Sequence, residues 1–331
     1  MAPTPVTPDV PRDITPSLPR SDKIFEIGTR GVATLVLVIV ASIGFFLALQ
    51  AKPTLSHYGL KYFTTAQFNP ELDKVGIAAV VIGTITVALV ALTIAFPLAF
   101  GTALYITEYA PARLRSTLVS LVDLMAAVPS IIWGLWGALL LEPRAIYIAR
   151  WLQTYLGWLP FLHVDTDPHA ATWAQTRYTA SAFIAGIAVS MMVLPMACAV
   201  MRQVFSQTPP GEKEAALALG ATRWGMIRSV IIPFGRGGII GGTMLALGRA
   251  LGETIAVVLI ISPSFDIKFK PLEVGTETIS ALIAGRFGEA SSTQLSALLT
   301  AGFVLFIITL VVNTLAAIVV NRGRSGVGTD I

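Results

Sequence analysis

Six apolar runs, at about Gly31–Leu49, Gly76–Ile106, Leu118–Leu141, Ala180–Val200, Gly237–Ser262 and Leu295–Val320, leave this chain few choices of fold. Each approaches or exceeds the roughly 20 residues that carry a helix across hydrocarbon. Lipid cannot satisfy the free amides and carbonyls at an open strand edge, so the runs must cross as helices. With 54% of its residues hydrophobic and 13% charged, the chain has the composition of an all-α polytopic membrane protein with six transmembrane helices.

The first 22 residues hold six prolines among Thr, Ser and Asp. They lack apolar surface to bury and read as a disordered tail, with the transmembrane domain over 23–331 and its core at about 76–320. No basic stub, short apolar core and small-residue cleavage site precede the first run, which is therefore expected to be retained. With the N-terminus inside, cytoplasmic segments carry 13 basic residues and outer loops nine. That modest bias favours two cytoplasmic termini. It also accounts for the net charge of +4 without any nucleic acid. The lone Cys198 permits no intrachain disulfide, and His57, His163 and His169 lack ligand spacing, so no metal is expected.

Within the polar segment 201–236, residues Glu212 to Pro233 read EKEAALALGATRWGMIRSVIIP. Thr208 and Pro209 suit the cap and first residue of a helix. Gly220 suits a left-handed stop, and Thr222 can cap a second short helix to about Val230, closed by Pro233. Small Ala215 and Ala216 would let a partner approach closely. A surface-lying amphipathic hairpin fits the same residues. A DNA-binding helix-turn-helix does not, because both ends are tethered to spans and phosphate-binding charge is sparse.

The fifth run carries Arg249 near its midpoint and Glu253 four residues later, a spacing that puts both on one helical face. A charge at that depth costs about 2.5–3.5 kcal/mol on insertion scales, so it requires a polar cavity or a partner. An internal Arg249–Glu253 salt bridge is one reading. The other is a pathway in which Arg249 meets a passing anion and Glu253 weakens the grip. Gly238, Gly241, Gly242, Gly248 and Gly252 would admit neighbouring helices. Pro97, Pro129 and Pro195 can bend or break the second, third and fourth spans, and Ser130 is a candidate pathway residue beside one such break. Asp123 is expected to be hydrated or bridged to Arg113 or Arg115, and Arg144 to His163 to form a helix at the membrane interface or to dock a periplasmic protein.

Glu214-Ala215-Ala216, then Gly220, then Val230-x-Ile232-Pro233, resemble the EAA loop of ABC-importer permeases, with Val and Ile where Ile and Leu are usual. LGRALGETIAV around Arg249, and DLMAAVPSIIWGLWG in the third run, are similar to the PstC family of permease subunits of bacterial phosphate importers. The resemblance covers about Phe63 to Asn313. It implies the type-one ABC-importer permease (MetI-like) fold, with Glu214, Ala215, Ala216 and Gly220 at an interface with a cytoplasmic ATPase and Arg249 and Glu253 as transport residues. It further implies a bacterial inner-membrane protein with a PstA-like permease beside it, a PstB-like ATPase dimer below and a PstS-like phosphate-binding protein outside. No cofactor is expected on this chain, which has no Walker-type loop; ATP and Mg would belong to the ATPase. Sulfate or molybdate import, or a passive anion channel, remain alternatives.

Overall fold

A computed structural model describes residues 20–69, 73–170 and 172–323. All but the last three residues of the expected tail lie outside these. The chain divides into two compact units, 1–46 and 47–331. The described part of the first is the start of helix α1 (Arg20–Tyr58), whose apolar side chains there are almost all exposed.

The second unit continues α1 and follows it with α2 (Lys61–Thr64), a two-residue ribbon of β1 (Phe68–Asn69) and β2 (Lys74–Val75), and the long α3 (Ala78–Leu104). Then come α4 (Ala112–Ala127), α5 (Ser130–Trp136), α6 (Glu142–Leu156), α7 (Ala182–Ser206), α8 (Pro210–Ala218) and α9 (Arg223–Met226). The last four are α10 (Ile232–Leu251), α11 (Ile255–Ile260), α12 (Ile279–Arg286) and α13 (Ser292–Gly323). β1 and β2 pair antiparallel, Phe68 opposite Val75. Six helical stretches among the described residues are long and apolar enough to cross a membrane, at Ser21–Tyr58, Ala78–Tyr109, Ser130–Leu156, Ala182–Ser206, Arg223–Leu251 and Ser292–Val320.

Hydrophobic burial does not hold helices together in lipid, so close packing of small side chains must do it. Ala88, Ala91, Ala95, Ala99 and Ala103 form a fully buried stripe on α3 at three- and four-residue spacing. α7 packs on α3 at Gly186, where a Cβ would stand 2.4 Å from Val90 Cγ1. α7 also receives α10, through Gly235 against Phe205, Gly238 against Val204 and Gly242 against the Ala197 carbonyl. α7 is thus the central helix, with 72% of its apolar window buried. Of the glycines expected at helix contacts, Gly238 and Gly242 meet α7 and Gly248 meets Asn313 of α13, whereas Gly241 has open space and Gly252 ends a helix.

Two spans move relative to the apolar runs. The third begins at Ser130 and not at Leu118, because Pro129 stands as an extended cap (φ −59, ψ 143) that stops α4 before α5 starts. It then runs on through a π turn (Gly137–Leu141) into α6, so the expected interfacial helix to His163 stops at Leu156, before Gly157. The fifth begins at Arg223 and ends at Leu251, not Ser262. Pro233 does not close the second loop helix. A π turn (Ile227–Ile231) places Pro233 in the first turn of α10, where a missing N–H matters little, and the helix continues. Pro97 and Pro195 lie inside unbroken α3 and α7.

At the end of the bundle away from α8 and α9, the connection after α6 folds onto itself. Gln153 Nε2 donates to the carbonyls of Val164 (2.8 Å) and Thr166 (3.0 Å), and the Arg150 guanidinium lies 4.6 Å over the Trp173 ring. Lys270 Nζ, 3.0 Å from Asp165 Oδ2, holds that exposed carboxyl below its usual range. Here too Ile279 N donates to Thr84 Oγ1 (2.9 Å), tying α12 to α3. Glu277, beside that tie, is 5% exposed, and its carboxylate accepts from Thr278 N at 3.2 Å. Burial pushes its carboxyl up to about 7. Arg286 shares a small cavity with it but donates to the Phe68 carbonyl (3.3 Å) and lies over the Phe68 and Phe265 rings.

Candidate functional site

Two regions hold the residues picked out by sequence. The first is the loop between α7 and α10. Its helix α8 starts one residue later than expected, with Pro209 as cap and Pro210 first; Thr208 is buried, and its hydroxyl finds no partner among the described residues. Gly220 adopts φ +84, the left-handed stop that glycine enters without a Cβ clash. Thr222 Oγ1 accepts from Gly225 N at 3.1 Å and caps α9.

Glu214, Ala215 and Gly220 are exposed, while Ala216 packs against the core. Leu219 is 90% exposed and Trp224 57%, so the loop presents apolar side chains at its tip. Isolated exposed hydrophobics need no explanation, but with Leu217 also exposed there are three within one short polar loop, and they form a surface that another protein can cover. The loop is also anchored. Lys213 Nζ meets Glu108 Oε1 at 2.7 Å with both side chains mostly buried, which ties α8 to the end of the α3 span. Lys213 and Glu108 are 105 residues apart, and nothing in the local pattern of either pairs them. Leu219 and Trp224, by contrast, were visible as large apolar residues in a polar segment.

The second region is the end of α10. The helix stops at Leu251; Gly252 N bonds back to the Arg249 carbonyl (3.2 Å), and a new helix, α11, begins at Ile255. Arg249 and Glu253 therefore do not share one continuous helical face. The glycine and the break separate them, and no ion pair joins them among the described residues. Glu253 Oε1 instead accepts from Ala256 N (3.3 Å), satisfying an unpaired amide in the first turn of α11. Arg249 is exposed, with no hydrogen-bond or ion-pair partner among the described residues.

α5 runs parallel to α11 at short range: a Cβ on Gly134 would meet Ala256 Cα at 2.9 Å, and one on Gly137 would meet Ile260 Cδ1 at 2.4 Å. Ser130 is the first residue of α5, and Gly252 and Glu253 lie in the break just before α11. Both packed helices thus begin at a break in the chain, α5 after Pro129 and α11 after the stop at Leu251. Ser130 is half-buried and bonds to neither charge among the described residues. Irregular backbone at membrane depth is tolerated where it is buried in protein or lines a cavity. Asp123 lies elsewhere, exposed and 3.8 Å from Arg202 of α7; Arg115, one expected partner, donates to the Thr107 carbonyl at 2.7 Å. Among the described residues no three His, Cys, Asp or Glu side chains converge as metal ligands do.

Comparison with known proteins gives this geometry its relatives. Residues 95–325 match the family described as binding-protein-dependent transport system inner membrane component. The phosphate transport system permease protein PstC 2 of Mycobacterium tuberculosis is 37% identical over 311 residues, 93% of this chain and 94% of that one. PstC of Xylella fastidiosa is 36% identical over 304 residues, covering 92% and 91%, and PstC of Haemophilus influenzae 35% over 302, covering 91% and 93%. Among solved structures, an inward-facing form of the MetNI methionine ABC transporter matches with a TM-score of 0.53 at 14% identity, covering 78% of this chain and 99% of that one. An alginate ABC importer matches at 0.52 and 18% identity, covering 91% and 99%. At such identities the likeness is one of fold, that of type-one ABC-importer permeases.

Proposed function

Because the chain belongs to the family of binding-protein-dependent transport system inner membrane components, with PstC permeases as relatives over nine-tenths of its length, we propose that it forms half of the pathway of an ATP-driven phosphate importer. The observation that carries this reading is Arg249: an arginine in the last turn of the fifth apolar span, just before the helix break, exposed and without a hydrogen-bond or ion-pair partner among the described residues. Lipid is a costly neighbour for that charge, so a second permease or a water-lined pathway must lie against it. One arginine cannot balance a phosphate carrying one to two negative charges, so a homologous PstA-like subunit supplies the other wall. Glu253 and Ser130, at the two helix breaks, complete the site on this side.

The loop of α8 and α9 faces the cytoplasm, as do both termini, and Glu214, Ala215, Ala216 and Gly220 dock a PstB-like ATPase dimer that hydrolyses ATP with Mg. A PstS-like binding protein delivers phosphate at the other face and makes the choice among oxyanions. Closure of the ATPases pushes on α8, and the Lys213–Glu108 tie passes that push into the α3 span.

The test is uptake of radiolabelled phosphate, with sulfate as competitor, by cells whose only high-affinity importer contains this chain or its Arg249→Gln variant. Wild-type uptake that resists sulfate, and background uptake by an assembled variant, are expected. Normal uptake by the variant would reduce Arg249 to a structural charge. Uptake of sulfate in place of phosphate would move the assignment to another oxyanion.

A further inference from the structure

At the root of the α8 loop, between the end of the α3 span, the first turns of α4 and the last turn of α7, lies a polar cavity of about 470 Å3. Arg115, Arg202 and Lys213 line it, with Glu108 as the only carboxylate on its wall among the described residues. Glu108 is already neutralised by Lys213 at 2.7 Å. Among the described residues, the only carboxylate that Arg202 approaches within 4 Å is the exposed Asp123, at 3.8 Å, beyond hydrogen-bond reach. Arg115 spends a single N–H on the Thr107 carbonyl. Two guanidinium groups with five donors each therefore face one space with most of those donors free, and Gln203 adds an amide.

Such a wall matches a phosphate group, whose oxygens accept paired N–H bonds from guanidinium. The cavity is separate from the Arg249 region. Met201 packs at the level of Gly242, so Arg202 stands roughly 12 Å along the axis from Arg249 at 1.5 Å per residue. It also opens where the spans Ala78–Tyr109 and Ala182–Ser206 end, at the depth of lipid headgroups.

We propose that this cavity binds a phosphate group at the cytoplasmic end of the bundle, carried either by an anionic phospholipid or by free phosphate. Its occupant bridges α4, α7 and Lys213 of the coupling helix α8, and so fixes that helix against the bundle. The site uses none of the transport residues, and its binding stands whether or not the imported ion is phosphate.

The experiment uses the purified transporter complex, carrying Arg249→Gln so that the span itself does not bind the probe. The complex is placed in vesicles of phosphatidylcholine alone, or of phosphatidylcholine with phosphatidylglycerol, or in the former with inorganic phosphate. Lipid retention is read by native mass spectrometry and phosphate binding by equilibrium dialysis. Retention of phosphatidylglycerol, weakened roughly tenfold or more in Arg115→Gln/Arg202→Gln, is expected for a lipid occupant; phosphate binding with the same loss is expected for the free ion. Should the double variant not assemble, Glu108→Gln, which removes the one wall carboxylate, is expected to tighten binding. Binding of neither probe, or binding unchanged by Arg115→Gln/Arg202→Gln or by Glu108→Gln, overturns the proposal.

Discussion

Glu277→Gln offers a sharp test of how the end of the bundle away from the α8–α9 loop is built. The wild-type carboxyl is buried, accepts one backbone amide, and is pushed up from 4.5 to about 7 chiefly by burial, with the Thr278 amide and Arg286 acting weakly the other way. A folded value above the unfolded one means that the folded state holds the proton more tightly. The stabilising contribution of Glu277 is therefore complete below about pH 4.5 and is lost as pH rises through about 7. The whole interval corresponds to about 3 kcal/mol, and the part between about pH 5.5 and pH 8 to about 2 kcal/mol. Gln keeps an oxygen for the Thr278 amide and cannot ionise. Thermal unfolding of the detergent-solubilised protein at those two pH values, for wild type and variant, reads the difference directly. The variant is expected to lose less stability on alkalinisation and to be the more stable of the two at about pH 8. Identical pH slopes, or a variant weaker at alkaline pH, would show that Glu277 is not held neutral in the fold.

Two further outcomes follow from backbone geometry. Gly220→Ala forces a Cβ into a left-handed position (φ +84), at a cost of about 1 kcal/mol; it is expected to reduce ATPase co-purification, while Gly220→Asn, which tolerates that conformation, retains more of it. Equal co-purification of both variants with wild type would show that the loop does not depend on this stop. Gly83→Ala places a Cβ 2.0 Å from the Glu277 carbonyl oxygen, so α3 must move off the Thr84–Ile279 bond; a loss of about 1–3 kcal/mol is expected in unfolding experiments, and wild-type melting would refute the close approach.

The number of spans and the helical class were legible because hydrocarbon length is a hard constraint that apolar runs report well. Where the third and fifth spans begin was not. Hydropathy treats Leu118–Leu141 as one run, and only backbone geometry shows that Pro129 divides it, whereas Pro97 and Pro195 divide nothing. The π turns at Gly137–Leu141 and Ile227–Ile231 have no local sequence signature, and the second of them lets Pro233 begin a helix that it was expected to close. At the candidate site, Gly220 and Thr222 were readable because caps are local chemistry. The relation of Arg249 to Glu253 was misread, since a spacing of four implies a shared face only if the helix continues, and it ends at Leu251. The Lys213–Glu108 and Arg202–Asp123 contacts join distant segments, and no pattern along the chain predicts such pairs.

The uncovered Arg249 also bears on how this protein is made. On the proposed reading, a copy inserted before its partner permease exposes a guanidinium to the bilayer, where an unpaired charge is costly. Any such cost is drawn from a stability that is itself only about 5–15 kcal/mol for an ordinary domain. An orphan copy would thus be marked for membrane proteases by the same side chain that serves transport. Synthesis of the two permeases in matched amounts, close together in time, becomes a requirement that one residue imposes on the cell.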